Sequence, residues 1–285
     1  MSKNTHRPKG KLFAIGGYEH KGLEKELSHH QMSNPNFAEL QILKRFVNEL
    51  NGTDSQIEVI TSASRIPKEI GENYLYAFDK IGCHKVGVLD IRTPEDARKK
   101  RFVERIKKAD GVMFTGGDQL RLCRTIGETP IYEVLKERYE NEEGFMIAGT
   151  SAGAMAMSRN MICKGGKAFL KGEICFGEGF GFIEEVVIDT HFVKRGRFGR
   201  LAQAVACTAT KIGIGIEEDT GLIISHGDEM EAVGSGLVII MDGHEIEDCN
   251  YNEIDEGAPI AVENLIVHIL AKGDKFTLNN REAEI

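Results

Sequence analysis

A serine stands between two glycines in Gly149-Thr150-Ser151-Ala152-Gly153. The spacing is G-x-S-x-G, the pattern of a nucleophile elbow, where a sharp strand-to-helix turn lifts a hydroxyl clear of its surroundings. Such a turn presses backbone against backbone, and side chains at the glycine positions would clash. The flanks agree with this reading. Apolar Phe145-Met146-Ile147-Ala148 leads in as a strand, and Ala154-Met155-Ala156-Met157 leads out in helix-compatible residues. The same five residues also suit an ordinary strand–helix turn with a bystander serine, so the partners decide. A serine nucleophile needs a base, and the base needs a group to orient it. Among nine histidines, His191 stands apart because Asp189-Thr190-His191-Phe192 follows the apolar run Val186-Val187-Ile188 and falls at a strand end. For the orienting acid, Glu217, Glu218 and Asp219 all follow apolar Ile214-Gly215-Ile216, and spacing does not choose among them.

A basic cluster, Arg195, Arg197 and Arg200, follows the histidine and opens a helix expected from about Arg197 to Ala206. Cations are disfavoured at a helix N-terminus by the macrodipole. A local conflict of this kind points to a functional use.

These residues need a scaffold. Leu12–Ile15, Ile57–Ile60, Lys85–Ile91, Val112–Phe114 and Phe145–Ala148 read as buried strands. Between them the pattern predicts helices after Asn34-Pro35-Asn36, from Pro67 to about Ile81, from Pro94 to Lys108 and over 130–141. Strands alternating with helices indicate βαβ units: an α/β fold with a doubly wound, mostly parallel sheet covered on both faces. In such sheets sites gather beyond the carboxyl ends of the strands. Gly16-Gly17, Gly116-Gly117 and Gly149-to-Gly153 all follow strand ends and point to one edge. After residue 210 short β-like runs follow (Ile212–Ile216, Gly221–Ser225, Ala232–Met241, Leu265–Leu270), giving a β-rich C-terminal part. With no linker or repeat, residues 11–285 read as a single α/β domain behind a flexible N-terminal arm, residues 1–10.

Of the 285 residues, 41% are hydrophobic and 28% charged, an ordinary globular balance. A net charge of −8 argues against nucleic acid as a partner, which would call for a basic footprint. No apolar run is long enough to span a membrane. Six dispersed cysteines form no C-x-x-C pair, which suggests neither a zinc site nor a disulfide framework and fits reduced thiols in a cytoplasm. No metal or cofactor is called for.

Taken together, Ala14-Ile15-Gly16-Gly17, Phe114-Thr-Gly-Gly-Asp-Gln119, Gly149-Thr-Ser-Ala-Gly-Ala154, Ile188-Asp-Thr-His-Phe192, Arg195-Gly-Arg-Phe-Gly-Arg-Leu201 and Gly215-Ile-Glu-Glu-Asp-Thr220 resemble the serine peptidase family of the cyanophycinases and the aspartyl dipeptidase peptidase E. The six stretches occur in the family's order and span most of the chain. The resemblance implies a class I glutamine amidotransferase-like fold with a serine nucleophile. It implies a triad of Ser151, His191 and Glu218, with Glu217 as the alternative acid. It implies an oxyanion hole of backbone N–H groups from Ala152 and the Gly117-Asp118 turn. The implied substrate is cyanophycin, a polyaspartate with an arginine on each side-chain carboxyl, or another aspartyl peptide, and a homodimer is expected. Arg195, Arg197 and Arg200 would meet a substrate carboxylate; Gln119, Asp189 and Glu217 would meet the guanidinium. Two positions depart from the family: Thr190 where a glutamine that could contact substrate is expected, and Tyr18 where a third glycine is common.

Overall fold

The computed structural model describes residues 7–24, 27, 29–166 and 170–285. Five parallel strands make the centre: β1 (Lys11–Ile15), β2 (Ile57–Ile60), β3 (Val86–Leu89), β4 (Gly111–Phe114) and β5 (Met146–Thr150), in the order β1-β5-β4-β2-β3. Their near-continuous apolar runs need cover on both sides, and the pleat divides them. Leu12, Ala14, Val112, Phe114 and Ile147 face one core. Phe13, Ile15, Met113, Met146 and Ala148 face the other, with Phe46, Tyr74 and Phe78.

The helices are α1 (His29–Ser33), α2 (Gln41–Glu49), α3 (Pro67–Ile81), α4 (Pro94–Ala97), α5 (Lys100–Lys108), α6 (Gln119–Ile126), α7 (Pro130–Asn141), α8 (Ala152–Met155) and α9 (Phe198–Cys207). The expected helix after Asn34 begins only at Gln41. The Asn34 side chain instead accepts the Asn36 N–H at 2.9 Å, closing a turn, and Leu40 sits at φ 60°. The expected helix from Pro94 to Lys108 is two, because a capping box between Thr93 and Asp96 frames α4 and Lys99 is extended.

Beyond α8 lie β6 (Asn160–Lys164) and β7 (Cys175–Glu178), an antiparallel pair absent from the sequence reading. Most of β7 is exposed, so no alternation marks it. The remaining strands are β8 (Val186–Thr190), β9 (Ile212–Ile216), β10 (Thr220–Ser225), β11 (Glu229–Gly234), β12 (Val238–Asp242), β13 (Ile266–Leu270), β14 (Lys275–Thr277) and β15 (Glu282–Glu284). Strands β10, β11, β14 and β15 extend the central sheet antiparallel from β1, so the whole nine-stranded sheet is mixed. Strands β8, β9, β12 and β13 form a second sheet. The apolar stretch Ala232–Met241 therefore divides at Gly234, φ 103°, between the two sheets. Residues 1–6 of the expected arm lie outside the described residues. Lys9 and Gly10 are held to α7 by bonds to the Glu140 and Tyr139 carbonyls (3.2 and 2.9 Å). No helix among the described residues is long and apolar enough to cross a membrane.

The carboxyl ends of β1, β4 and β5 meet at one edge, where the glycines have steric reasons. A Cβ on Gly149 would lie 2.5 Å from the Gly153 carbonyl carbon, and one on Gly153 2.6 Å from the Phe114 oxygen. Gly153→Ala is expected to cost roughly 1–3 kcal/mol of stability, read as a lower urea midpoint at unchanged m-value.

Candidate active site

Ser151 joins β5 to α8 at φ 51°, ψ −109°, a conformation uncommon outside glycine. Its Oγ lies 2.9 Å from His191 Nε2, and His191 Nδ1 lies 2.8 Å from Glu218 Oε1. With Glu218 accepting the Nδ1 proton, Nε2 is the acceptor that faces the serine hydroxyl. Burial holds the His191 pKa below the ordinary imidazole value. Glu218 opposes that shift, and the charges of Arg195 and Arg197 reinforce it. The base is therefore neutral where it must accept a proton.

Three consecutive carbonyls at the end of β1 hold all three segments. Ile15 O accepts the Ser151 N–H at 2.9 Å, Gly16 O the His191 N–H at 2.9 Å, and Gly17 O the Asp219 N–H at 3.0 Å. A Cβ on Gly16 would lie 1.9 Å from the Glu217 oxygen, and one on Gly17 2.4 Å from His191 Cε1. Only bare backbone passes between these groups.

The acid ambiguity resolves by geometry. Glu217 Oε2 accepts the N–H groups of Val193 and Lys194 and ties down the loop after the histidine. Glu218 faces His191 and also accepts Lys194 Nζ at 2.7 Å. Glu217 is thus engaged through Oε2 by the backbone of that loop.

Sequence reasoning missed Glu19. Buried below this edge, it accepts Thr150 Oγ1 at 2.6 Å, the Tyr74 hydroxyl and Lys21 Nζ at 2.9 Å. Burial alone would raise its pKa, yet the Lys21 charge and the bonds from Thr150 and Tyr74 hold the carboxyl below its usual value. The available signal was an acid two residues beyond a strand-ending glycine pair.

Several expected ligands serve the fold instead. Asp189 is fully buried; Arg200 binds both its oxygens through Nε (2.7 Å) and Nη2, and Arg197 Nη1 joins at 3.0 Å. Arg200 also donates to Gly165 O and Arg197 to Thr190 O. The conflict at the start of α9 is thereby settled internally: a buried carboxylate offsets the cations. Asp189 offers no oxygen to substrate, Arg200 is buried, and Thr190 is fully buried too. Arg195 is exposed. Gln119 Nε2 donates to Ile162 O at 2.8 Å and Cys163 O at 3.3 Å, which leaves Oε1 as its acceptor. Gln119 lines a cavity of about 540 Å³ with Arg65, Gly117 and Lys164.

One expected oxyanion donor is also corrected. The Asp118 N–H donates to Ala63 O at 3.0 Å, and its carboxylate caps α6 through the Arg121 N–H. The N–H groups of Gly117 (φ 145°) and Ala152 make no such backbone bond among the described residues.

An α/β fold with a strained serine at a strand–helix elbow, bonded to a histidine that an acid orients, defines a serine hydrolase. The chain belongs to Peptidase family S51, whose family model matches residues 28–233. It is 37% identical over 243 residues to a cyanophycinase of Nostoc sp., covering 85% of this chain and 81% of that one. A cyanophycinase of Geminocystis herdmanii is 37% identical over 238 residues, 83% of this chain and 87% of the relative. One of Synechococcus elongatus is 33% identical over 290 residues, covering 100% and 85%. A crystal structure of a peptidase from an acI-B1 Actinobacterium shares the fold, with TM-score 0.66, 24% identity and coverage of 95% and 98%.

Two outcomes are expected. Asp189→Ala strands the Arg200 guanidinium in the interior and should cost about 3–5 kcal/mol, visible as a lower melting temperature. The acid limb of kcat/KM should lie below pH 6.5, the ordinary imidazole value, because a protonated His191 cannot accept the serine proton. Arg195→Gln removes a cation that disfavours imidazolium, so that limb should move upward in a pH–rate profile.

Proposed function

We propose that this protein is a serine exopeptidase that hydrolyses cyanophycin to β-Asp-Arg dipeptides. The observation that carries the reading is the relay from Ser151 through His191 to Glu218, with contacts of 2.9 and 2.8 Å, on a chain 37% identical to a cyanophycinase.

In this mechanism His191 Nε2 takes the hydroxyl proton as Ser151 Oγ attacks the scissile carbonyl. The oxyanion is met by the N–H groups of Gly117 and Ala152, donors of a kind typically worth about 3–4 kcal/mol each. The imidazolium, stabilised by Glu218, returns its proton to the leaving amine, and an acyl-enzyme on Ser151 remains. Water, deprotonated by the same histidine, then attacks the ester carbonyl and releases the acid. Lys194 on the outer oxygen of Glu218 holds that carboxylate turned toward the imidazole. Exposed Arg195 is placed to meet a substrate carboxylate, and Gln119 Oε1 to accept from a guanidinium. A homodimer acting in the cytoplasm belongs to the same proposal. The edge strand β13, with exposed Ile266, Val267 and Ile269, supports an interface there, and sedimentation equilibrium would test it.

The test uses purified protein on insoluble cyanophycin, with soluble products identified by mass spectrometry. Wild type should release β-Asp-Arg. Ser151→Ala should lose on the order of 10⁶ in kcat, and Glu218→Gln about 10⁴ through loss of the correct tautomer. Activity on Asp-X dipeptides without release from cyanophycin would overturn the substrate in favour of a related aspartyl dipeptidase. A fully active Ser151→Ala would overturn the mechanism.

A further inference from the structure

Tyr18 is out of place by ordinary packing rules. It holds φ 47°, a left-handed conformation costly for a bulky residue, yet 69% of it is exposed. Strain of this kind persists where surrounding structure enforces it, and it clusters at functional sites. Here the enforcing structure is the glycine pair immediately before it, whose carbonyls hold the histidine and acid segments. The ring stands edge-on to the His191 imidazole, with centroids 5.3 Å apart and planes at 71°. One cation already lies over it: Lys194 Nζ, 5.7 Å from the ring centre and tethered to Glu218.

The cleft has another gap. Of the three groups expected to meet a guanidinium, Asp189 has both oxygens committed to Arg197 and Arg200, and Glu217 has one oxygen held by the Val193 and Lys194 N–H groups. A substrate arginine therefore finds fewer free carboxylate oxygens near Ser151 than the residue types imply. Beside the Gln119 oxygen, the face of an aromatic ring is a further feature of this edge suited to a cation. A planar guanidinium stacks on such a face, whereas an ammonium is a compact, strongly hydrated point charge.

We propose that the face of Tyr18 receives the guanidinium of a substrate arginine next to the acylated aspartyl unit, in place of the Lys194 ammonium. The inference rests on the cyanophycin reading above. It makes Tyr18 a specificity determinant for arginine over neutral side chains, acting beside the base without joining the proton relay.

Steady-state kinetics on soluble β-Asp-Arg oligomers, and on the same oligomers with citrulline in place of arginine, provide the test. Citrulline keeps the shape and removes the charge. Tyr18→Leu keeps an apolar side chain and removes the ring; Tyr18→Phe keeps the ring and removes the hydroxyl. For Tyr18→Leu, KM for the arginine oligomer is expected to rise roughly 3–30-fold while kcat stays within about two-fold. Its arginine-to-citrulline ratio of kcat/KM should fall by the same factor, and Tyr18→Phe should match wild type. The proposal is overturned if Tyr18→Leu leaves that ratio unchanged, which would make the ring a mere shield for His191. It is equally overturned if Tyr18→Phe loses as much as Tyr18→Leu, which would assign the effect to the hydroxyl. A wild type that cleaves neither cyanophycin nor the arginine oligomer would overturn the cyanophycin reading itself, and this inference with it. A wild type active on both, with an unchanged ratio in Tyr18→Leu, overturns only the inference.

Discussion

Everything at this site hangs on three peptide carbonyls in a row. Ile15, Gly16 and Gly17 each accept one N–H, from Ser151, His191 and Asp219. The donors come from segments that are far apart in the chain. A triad needs angles and distances held to a fraction of an ångström, because proton transfer and attack fail when the groups drift. Side chains alone, with their rotamer freedom, hold such geometry poorly. Here one short piece of backbone fixes the main chain beneath all three. Catalytic alignment thus reduces to the rigidity of the end of β1, which lies between β5 and β10 in the middle of the sheet.

That rack explains where strain and charge are stored. Tyr18, Ser151, His191 and Asp219 all carry positive φ, and all lie on or against it. Bending the chain so often costs energy, and buried polar groups around the site supply compensating bonds. Glu19 ties the rack to Thr150, next to the nucleophile, and to Tyr74 on α3. Asp219 accepts the His20 N–H at 3.1 Å and is bonded to Gln41 and Ser235. On the far side, the buried carboxylate of Asp189 gathers Arg197 and Arg200 and steadies the strand end that delivers His191. Buried charges with this many partners resist any rearrangement that would leave one of them unpaired.

The chemistry was legible in the chain because it needs residue types that local rules notice. A serine fenced by glycines, a histidine at the end of an apolar run and acids at the end of another are all short-range patterns. The strands of the parallel core were legible for the same reason, since strands covered on both faces become unbroken apolar runs. Strand β7 was not, because its side chains are mostly exposed and carry no alternation. The start of α2 was misplaced because Asn34 reads equally as a helix cap and as a turn, and only the bond to Asn36 separates the two.

The sequence by itself determined the fold class, the edge where the candidate site lies, and which serine, histidine and acid run could meet there. Those follow from periodicity, glycine placement and side-chain chemistry, which are local properties. Tertiary structure alone decided which glutamate faces the imidazole, since Glu217 and Glu218 are chemically equal and differ only in what stands opposite them. It alone turned Asp189 and Arg200 from candidate ligands into a buried ion pair, and engaged the Asp118 N–H with Ala63. A charge's role depends on whether its partner comes from solvent, substrate or the fold, and in this chain the partners arrive from distant segments that no local pattern records.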